Sequence, residues 1–185
     1  MKYFFASDIH GDLAAAREMA AAFDKEGAAR LFLLGDLLYH GPRNNIPATY
    51  DPKGVIALLN GMKGKISAVR GNCDAEVDQM VLSFPIMADY AVFLLPHGTA
   101  YLTHGHLFGG GAPAEMGAGD ILIEGHTHIA GVFKDDAGNI CLNPGSVSMP
   151  KGDTPACYMI YDTEACSFSI RRLSDGSEFC CYTLL

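Results

Sequence analysis

Apolar residues run unbroken from Tyr3 to Ala6 and stop at Ser7-Asp8, which predicts a strand, Lys2 to Ser7, buried on both faces. From Leu13 to Glu26 the pattern becomes alanine-rich and helical, with Asp12 placed to cap its start and Gly27 to end it. The same order then recurs. Ala29 to Leu34 is apolar and ends at Gly35-Asp36, a loop follows, and Asp51-Pro52 supply an N-cap and a first-turn proline for a helix ending near Gly64. Ile66 to Val69 forms a third strand that ends at Arg70-Gly71-Asn72. Strand alternating with helix predicts an α/β arrangement.

The second half changes character. Ala88 to Leu95 and Thr99 to His104 face each other across Pro96-His97-Gly98, a hairpin pattern that makes His97 an exposed turn residue. Ile121 to Glu124 is another short buried strand. Gly131 to Lys134 and Asn139 to Leu142 flank the turn Asp135-Asp136-Ala137-Gly138, and strands continue through Ala156 to Tyr161, Ser167 to Leu173 and Phe179 to Leu184. With no linker between the halves and no internal repeat, the pattern implies two packed sheets with helices outside, in one domain spanning residues 1–185.

Composition narrows the class. Hydrophobic residues are 49% and charged residues 18% of the chain, a balance that folds rather than staying disordered. No apolar run approaches a membrane span, and the short N-terminal one ends at an acid, so the expected location is cytoplasmic. Thirteen Lys and Arg against twenty-one Asp and Glu give a net charge of −8, which argues against an extended nucleic-acid surface. The six cysteines lack CxxC spacing and read as reduced thiols. An anionic substrate would have to be held by something other than surface charge.

That something is visible in where the metal-ligating residue types fall. Asp8 and His10 follow the first strand, Asp36 the second and Asn72 the third; His104 ends a later strand, and His126 and His128 follow Ile121 to Glu124. Carboxyl ends of parallel strands converge on one edge of a sheet. In extended backbone, residues two apart share a face, so Asp8 with His10 and His126 with His128 can each present two ligands to one pocket. Gly11, Gly35, Gly71, Gly105 and Gly125 adjoin these positions and allow close backbone approach. Two Asp, one Asn and four His exceed what one ion needs and point to two divalent metals sharing a carboxylate. The mixed nitrogen and oxygen set suits Mn²⁺ first, with Fe, Zn²⁺ or Ni²⁺ as alternatives, and disfavours Ca²⁺ and Mg²⁺. Two dications, two aspartates and a bridging hydroxide leave about one positive charge, which attracts a phosphate ester.

The motifs SDIHG at Ser7, GDLLYHGPRN at Gly35, GNCD at Gly71, THGH at Thr103, GHTH at Gly125 and NPGSVSMPKG at Asn143 resemble, in order and over nearly the whole chain, the calcineurin-like metallophosphoesterases. Within that superfamily they are most similar to the small bacterial and archaeal YfcE-type phosphodiesterases. The resemblance implies a four-layer αββα sandwich of two mixed β-sheets packed face to face. It implies one metal held by Asp8, His10, Asp36 and His128, and a second by Asp36 as bridge, Asn72, His104 and His126. It also implies a phosphodiesterase with a metal-bridging hydroxide as nucleophile, and a possible homodimer. Where the family pattern has GNHD, this chain has Cys73. A thiol beside two dications tends toward thiolate, a poor proton donor, so a small diester with an acidic leaving group is the expected substrate.

Several positions keep two readings. Cys73 is either a small packing residue or a site-lining one, counted with Asp36 and Asn72 among the catalytic candidates. Asp74 reads as a cap for the following helix. His106 either lines the site, where it is an alternative proton donor, or supports it from behind. Arg43, on the Leu37 to Asp51 loop with His40 and Asn44, either clamps substrate phosphate or forms a structural salt bridge. Asn72 is a ligand whose NH₂ also reaches phosphate, and Asn143 to Gly152 reads as a support of the site. A phosphomonoesterase is the nearest rival function. A binding scaffold of the same fold, as in the retromer subunit, is the rival from another class.

Overall fold

A computed structural model describes residues 1–108, 111–135 and 137–184. Asp136 of the predicted turn lies outside the described residues.

The apolar run at the N-terminus forms β1 (Lys2–Ala6) and the helix α1 (Leu13–Glu26) follows, capped as its sequence predicts. The Asp12 carboxylate accepts from the Ala15 N–H at 3.1 Å, and Gly27 takes a left-handed φ of 63° that ends the helix. Next come β2 (Arg30–Leu33), α2 (Pro52–Gly61) and β3 (Ile66–Ala68). Asp51 caps α2 through the Gly54 N–H at 3.0 Å. The helix stops at Gly61 rather than near Gly64, because the chain tightens into a 3₁₀ turn at Lys63–Lys65. A short α3 (Glu76–Gln79) precedes the hairpin of β4 (Tyr90–Leu95) and β5 (Gly98–Thr103), whose turn exposes His97. The remaining strands are β6 (Ile121–Ile123), β7 (Gly131–Lys134), β8 (Ile140–Asn143), β9 (Cys157–Asp162), β10 (Ser167–Arg172) and β11 (Glu178–Thr183).

These strands make two mixed sheets. One has the order β11-β10-β9-β1-β2-β3, with β1, β2 and β3 parallel; the other has the order β4-β5-β6-β8-β7, with β5, β6 and β8 parallel. Alternate residues of the first sheet serve two cores. Phe4, Leu31 and Leu33 pack with Met19, Phe23, Val55 and Leu59 of the helices, whereas Phe5, Met159, Tyr161 and Phe168 pack with Leu102, Ile121, Ile123 and Leu142 of the second sheet. This is the α/β arrangement of face-to-face mixed sheets expected from the sequence. Its helical layer is α1 and α2 against the six-stranded sheet, while the outer side of β4 leaves Tyr90, Val92 and Leu94 exposed. No helix among the described residues is long and apolar enough to cross a membrane.

The consequence for function is geometric. The parallel triplets of both sheets end at the same rim, so the loops after β1, β2, β3, β5 and β6 meet there. Phe5, fully buried and stacked on Phe32 with centroids 5.0 Å apart, belongs to the layer that holds the sheets together. Phe5→Ala is expected to remove about 3–5 kcal/mol of stability, read from urea unfolding; a loss below about 1 kcal/mol would show that this layer does not hold the sheets together.

Candidate metal centre

The ends of β1, β2 and β6 turn their candidate ligands inward by an unusual backbone step. Asp8, His10, Asp36, His126 and His128 all have φ between 51° and 65°, left-handed values that cost a residue with a Cβ on the order of 1 kcal/mol or more. Five such residues at one rim are a strained and over-determined arrangement. The restraints are visible. The Asp8 carbonyl accepts from the Ser146 and Ser148 hydroxyls, each at 2.8 Å, and its N–H donates to the Gly35 carbonyl. The His10 N–H donates to the Asp36 carbonyl at 2.9 Å, and the His126 N–H to Asp8 Oδ2 at 3.0 Å. Gly71 admits no side chain, since a Cβ there would collide with the Asp36 backbone nitrogen and carboxylate.

Three imidazoles are oriented alike. His10 Nδ1 lies 2.8 Å from the Tyr39 carbonyl, His104 Nδ1 2.7 Å from that of Leu34, and His128 Nδ1 2.6 Å from that of Met149. A carbonyl only accepts, so each Nδ1 carries the proton and each Nε2 faces the centre with its lone pair, the orientation of a metal ligand. His10 Nε2 and His128 Nε2 stand 3.2 Å apart, and Asp8 Oδ1 lies 3.1 Å from His128 Nε2 and 3.5 Å from His10 Nε2. Outside the imidazoles, that carboxylate oxygen has no hydrogen-bond partner despite full burial. Two acceptor nitrogens and an acceptor oxygen converging in a dry site fit a divalent cation.

The predicted ligands come together. Asp36 Oδ2 lies 3.6 Å from His10 Nε2 and 3.5 Å from His104 Nε2, between the two halves of the cluster. Its other oxygen accepts from the Cys73 N–H at 2.8 Å. Asn72 Oδ1 is 3.1 Å from His104 Nε2, and the His126 ring sits with its centroid 5.0 Å from that of His104. Groups of ligand atoms within 4.8 Å of one another are Asp8 with His10 and His128, Asp8 with Asp36 and His104, and His10 with Asp36 and Cys73. Around them is a cleft of about 510 Å³, whose wall also includes Arg43, Asn44, Thr127 and Lys151.

Electrostatics follow from burial and proximity. Burial raises the Asp8 carboxyl, but hydrogen bonds from His10 and His128 outweigh it and hold the group far below the usual range. Burial also opposes charge on His104, yet Asp36 and Asp8 lift it to about 9; His10 is raised for the same reason. His106 is lowered by burial and by His104; its ring packs beside His104 with centroids 5.3 Å apart, and its Nδ1 has no partner. Without a cation, burial and Asp36 push the Cys73 thiol up to about 12, so a thiolate there would depend wholly on bound cations.

One expectation needs correction. Asp74 does not cap α3, where Asp78 accepts from the Ala75 N–H instead. Its Oδ2 accepts from the N–H groups of Asp36 and Gly71, each at 2.8 Å, and its Oδ1 from that of Leu37 at 2.9 Å. It ties the β2 and β3 loops together beneath the Asp36 carboxylate. Sequence reasoning also missed Ser146 and Ser148 individually, although the segment Asn143 to Gly152 supports the site as expected. Asn143 Nδ2 holds the Gly125 carbonyl at 2.7 Å. The hint for Asp74 was its place directly behind Asn72 and Cys73, too close to the site for a helix cap to be its whole role.

Imidazoles and carboxylates gathered at strand ends between stacked sheets are the arrangement of a metal-dependent hydrolase. The chain belongs to the calcineurin-like phosphoesterase superfamily, whose domain model matches residues 1–165. It is 48% identical over 178 residues to phosphodiesterase YfcE of Escherichia coli K12, covering 96% of this chain and 95% of that one. The solved structure of that E. coli phosphoesterase superposes with a TM-score of 0.92 at 44% identity, covering all of both chains. A novel archaeal phosphodiesterase, 22% identical, shares the fold with a TM-score of 0.64, covering 92% of this chain and 98% of its own.

Two outcomes follow from this geometry. Asp74→Asn turns an NH₂ toward either the Leu37 N–H or those of Asp36 and Gly71, leaving at least one of the three unpaired, and is expected to lower stability by about 2 kcal/mol in urea unfolding; an unchanged midpoint would refute the clamp. In metal-stripped protein, the raised His104 contributes stability that is complete below about pH 6.5 and lost as pH rises through about 9. Unfolding midpoints measured from pH 6 to 10 are therefore expected to fall across that window, by on the order of 3 kcal/mol in total, and a flat profile would contradict the coupling.

Proposed function

We propose that the chain hydrolyses phosphodiesters at a centre holding two divalent cations, with Mn²⁺ the best match to its ligands. The observation that carries this reading is the single oxygen, Asp36 Oδ2, set between His10 Nε2 and His104 Nε2 at 3.6 and 3.5 Å. One carboxylate oxygen placed between two imidazole-bearing half-sites would serve as the bridge of a paired centre. Asp8, His10, Asp36 and His128 would hold one cation, and Asp36, Asn72, His104 and His126 the other. Bound there, divalent cations supply positive charge for the phosphoryl oxygens and lower the pKa of the attacking water.

The chain's own groups do the rest. Asp36 is fixed by the Cys73 N–H on one oxygen and by Asp74 through its backbone, so it cannot swing away from the shared position. The Asn72 amide, exposed at the cleft, directs its oxygen toward His104 and its NH₂ toward Cys73 and the space a phosphate would fill. Arg43 on the cleft wall offers two parallel N–H donors to a non-bridging phosphate oxygen pair or to the leaving group. Cys73 suits proton donation in neither state: without cations burial and Asp36 raise its thiol to about 12, and beside bound cations it would tend toward thiolate, which has no proton to give. Leaving groups that need no protonation, as in aryl or nucleotidyl diesters, therefore fit better than alkyl monoesters. The relatives named phosphodiesterase support the same preference.

The test compares kcat/KM for an aryl phosphodiester and the matching aryl monoester on Mn²⁺-loaded and metal-stripped protein. Metal-dependent turnover with the diester preferred is expected. Asp36→Asn is expected to lower it at least about a thousandfold while circular dichroism stays native. Retained activity in that variant would overturn the mechanism, and monoester preference would assign proton donation to His106.

A further inference from the structure

The cleft contains a cation that the proposed reaction does not use. Lys151 lines the same 510 Å³ space as His10, Asp36, Asn72 and His128, together with Arg43. Each comes from a different support. Lys151 is rooted beside His128: its N–H donates to the His128 carbonyl at 3.0 Å, and its own carbonyl accepts from the Thr154 hydroxyl at 2.8 Å. Arg43 is carried by the loop after β2. There Gly41, at φ +83°, lies close enough to Cys73 that a Cβ would touch its sulfur, and Asn44 Nδ2 ties back to the His40 carbonyl at 2.9 Å.

Neither side chain has a carboxylate within salt-bridge reach among the described residues, so both charges stay available to a ligand. In a chain of net charge −8, two cations on one wall set positive charge above a floor that carries Asp8 and Asp36. The scissile phosphate does not require both. Asp8, Asp36 and a bridging hydroxide would offset three of the four charges of two dications and a diester monoanion the fourth, so its charge would already be met on the floor of the cleft. Arg43 can serve that phosphate or its leaving group. Lys151 is then left facing the part of the substrate that is not reacting.

We infer that Lys151, beside Arg43 on the cleft wall, forms a second anion subsite, and that the substrate is a phosphodiester carrying a further anionic group, a phosphate or a carboxylate, on one arm. This rests on the phosphodiesterase reading and narrows it. A flexible ammonium recognises a phosphate as a point charge and a carboxylate more weakly, so a phosphate-bearing arm is the better occupant. Lys151 acts on binding and touches no reacting bond, so its contribution belongs in KM rather than kcat.

Three diesters with the same p-nitrophenolate leaving group and different second arms, propyl, carboxypropyl and phosphopropyl, separate the possibilities. In the Mn²⁺-loaded protein kcat/KM is expected to rise in that order, with the phosphate-ended ester about fivefold above the neutral one, the size of one exposed charge pair, and the gap closing at high salt. Lys151→Met is expected to remove most of that ratio through KM, and Lys151→Arg to keep it, a pattern that a purely structural role would not produce. Uncleavable phosphonate analogues, titrated calorimetrically, are expected to give the same ranking as Kd ratios whether or not any ester is cleaved. Equal constants for all three arms, or a ranking that survives Lys151→Met, would overturn the subsite while turnover left the phosphodiesterase reading standing. Ranked Kd values with no turnover would overturn the hydrolytic reading and keep the subsite.

Discussion

Two imidazole nitrogens that face each other across 3.2 Å, both with their protons committed elsewhere, cannot be neutral neighbours without something positive between them. In the absence of metal, Asp8 and Asp36 favour a proton on His10 and His104, which outweighs the burial that opposes it. With a divalent cation the same lone pairs become ligands. The centre is thus built for positive charge before any ion arrives, and much of the surrounding backbone exists to keep that arrangement from relaxing.

The restraint is distributed between the two sheets. The β1 loop supplies Asp8 and His10, but Asp8 is held from the β8 side by Ser146 and Ser148, and the proton on His128 is fixed by the Met149 carbonyl. Asp36 is held from β3 by Asp74 and the Cys73 N–H. Each ligand is therefore positioned by an element other than the one that carries it. Five left-handed residues persist because these cross-links over-determine them, and the apolar layer of Phe5, Phe168 and Leu142 fixes the distance across which the links must reach.

How much of this was legible follows from the range over which each interaction acts. Caps at Asp12, Gly27 and Asp51 depend on neighbours within a few residues and could be read directly from the sequence, as could the hairpin around Pro96 and His97. Strand ends rich in Asp and His could also be read, because the strand pattern and the ligand types coincide at five places. Asp74 could not, since its partners Asp36 and Leu37 lie on another loop and the local pattern offers a helix cap as an equally good explanation. The backbone carbonyls of Leu34, Tyr39 and Met149 carry no sequence signal, because any residue could supply them. Lys151 was within a recognisable motif, yet only its place in the cleft distinguishes it from the other surface lysines.

The division of labour across the cleft then follows from dielectric. Groups on the floor are buried, so their charges act strongly and must be balanced closely by carboxylates and cations. Arg43 and Lys151 stand in the wall where water screens them, and each is worth less, but neither needs a fixed partner to remain charged. On the proposed reading, such a centre would gain its chemistry from the dry floor and its choice of substrate from the wet wall. The first is constrained by strained turns and interlocked hydrogen bonds, whereas the second can change by single substitutions without disturbing the first. Discrimination among diesters should therefore be sought in the loop after Asp36 and in the segment after His128, and the hydrolytic step itself in the residues those segments enclose.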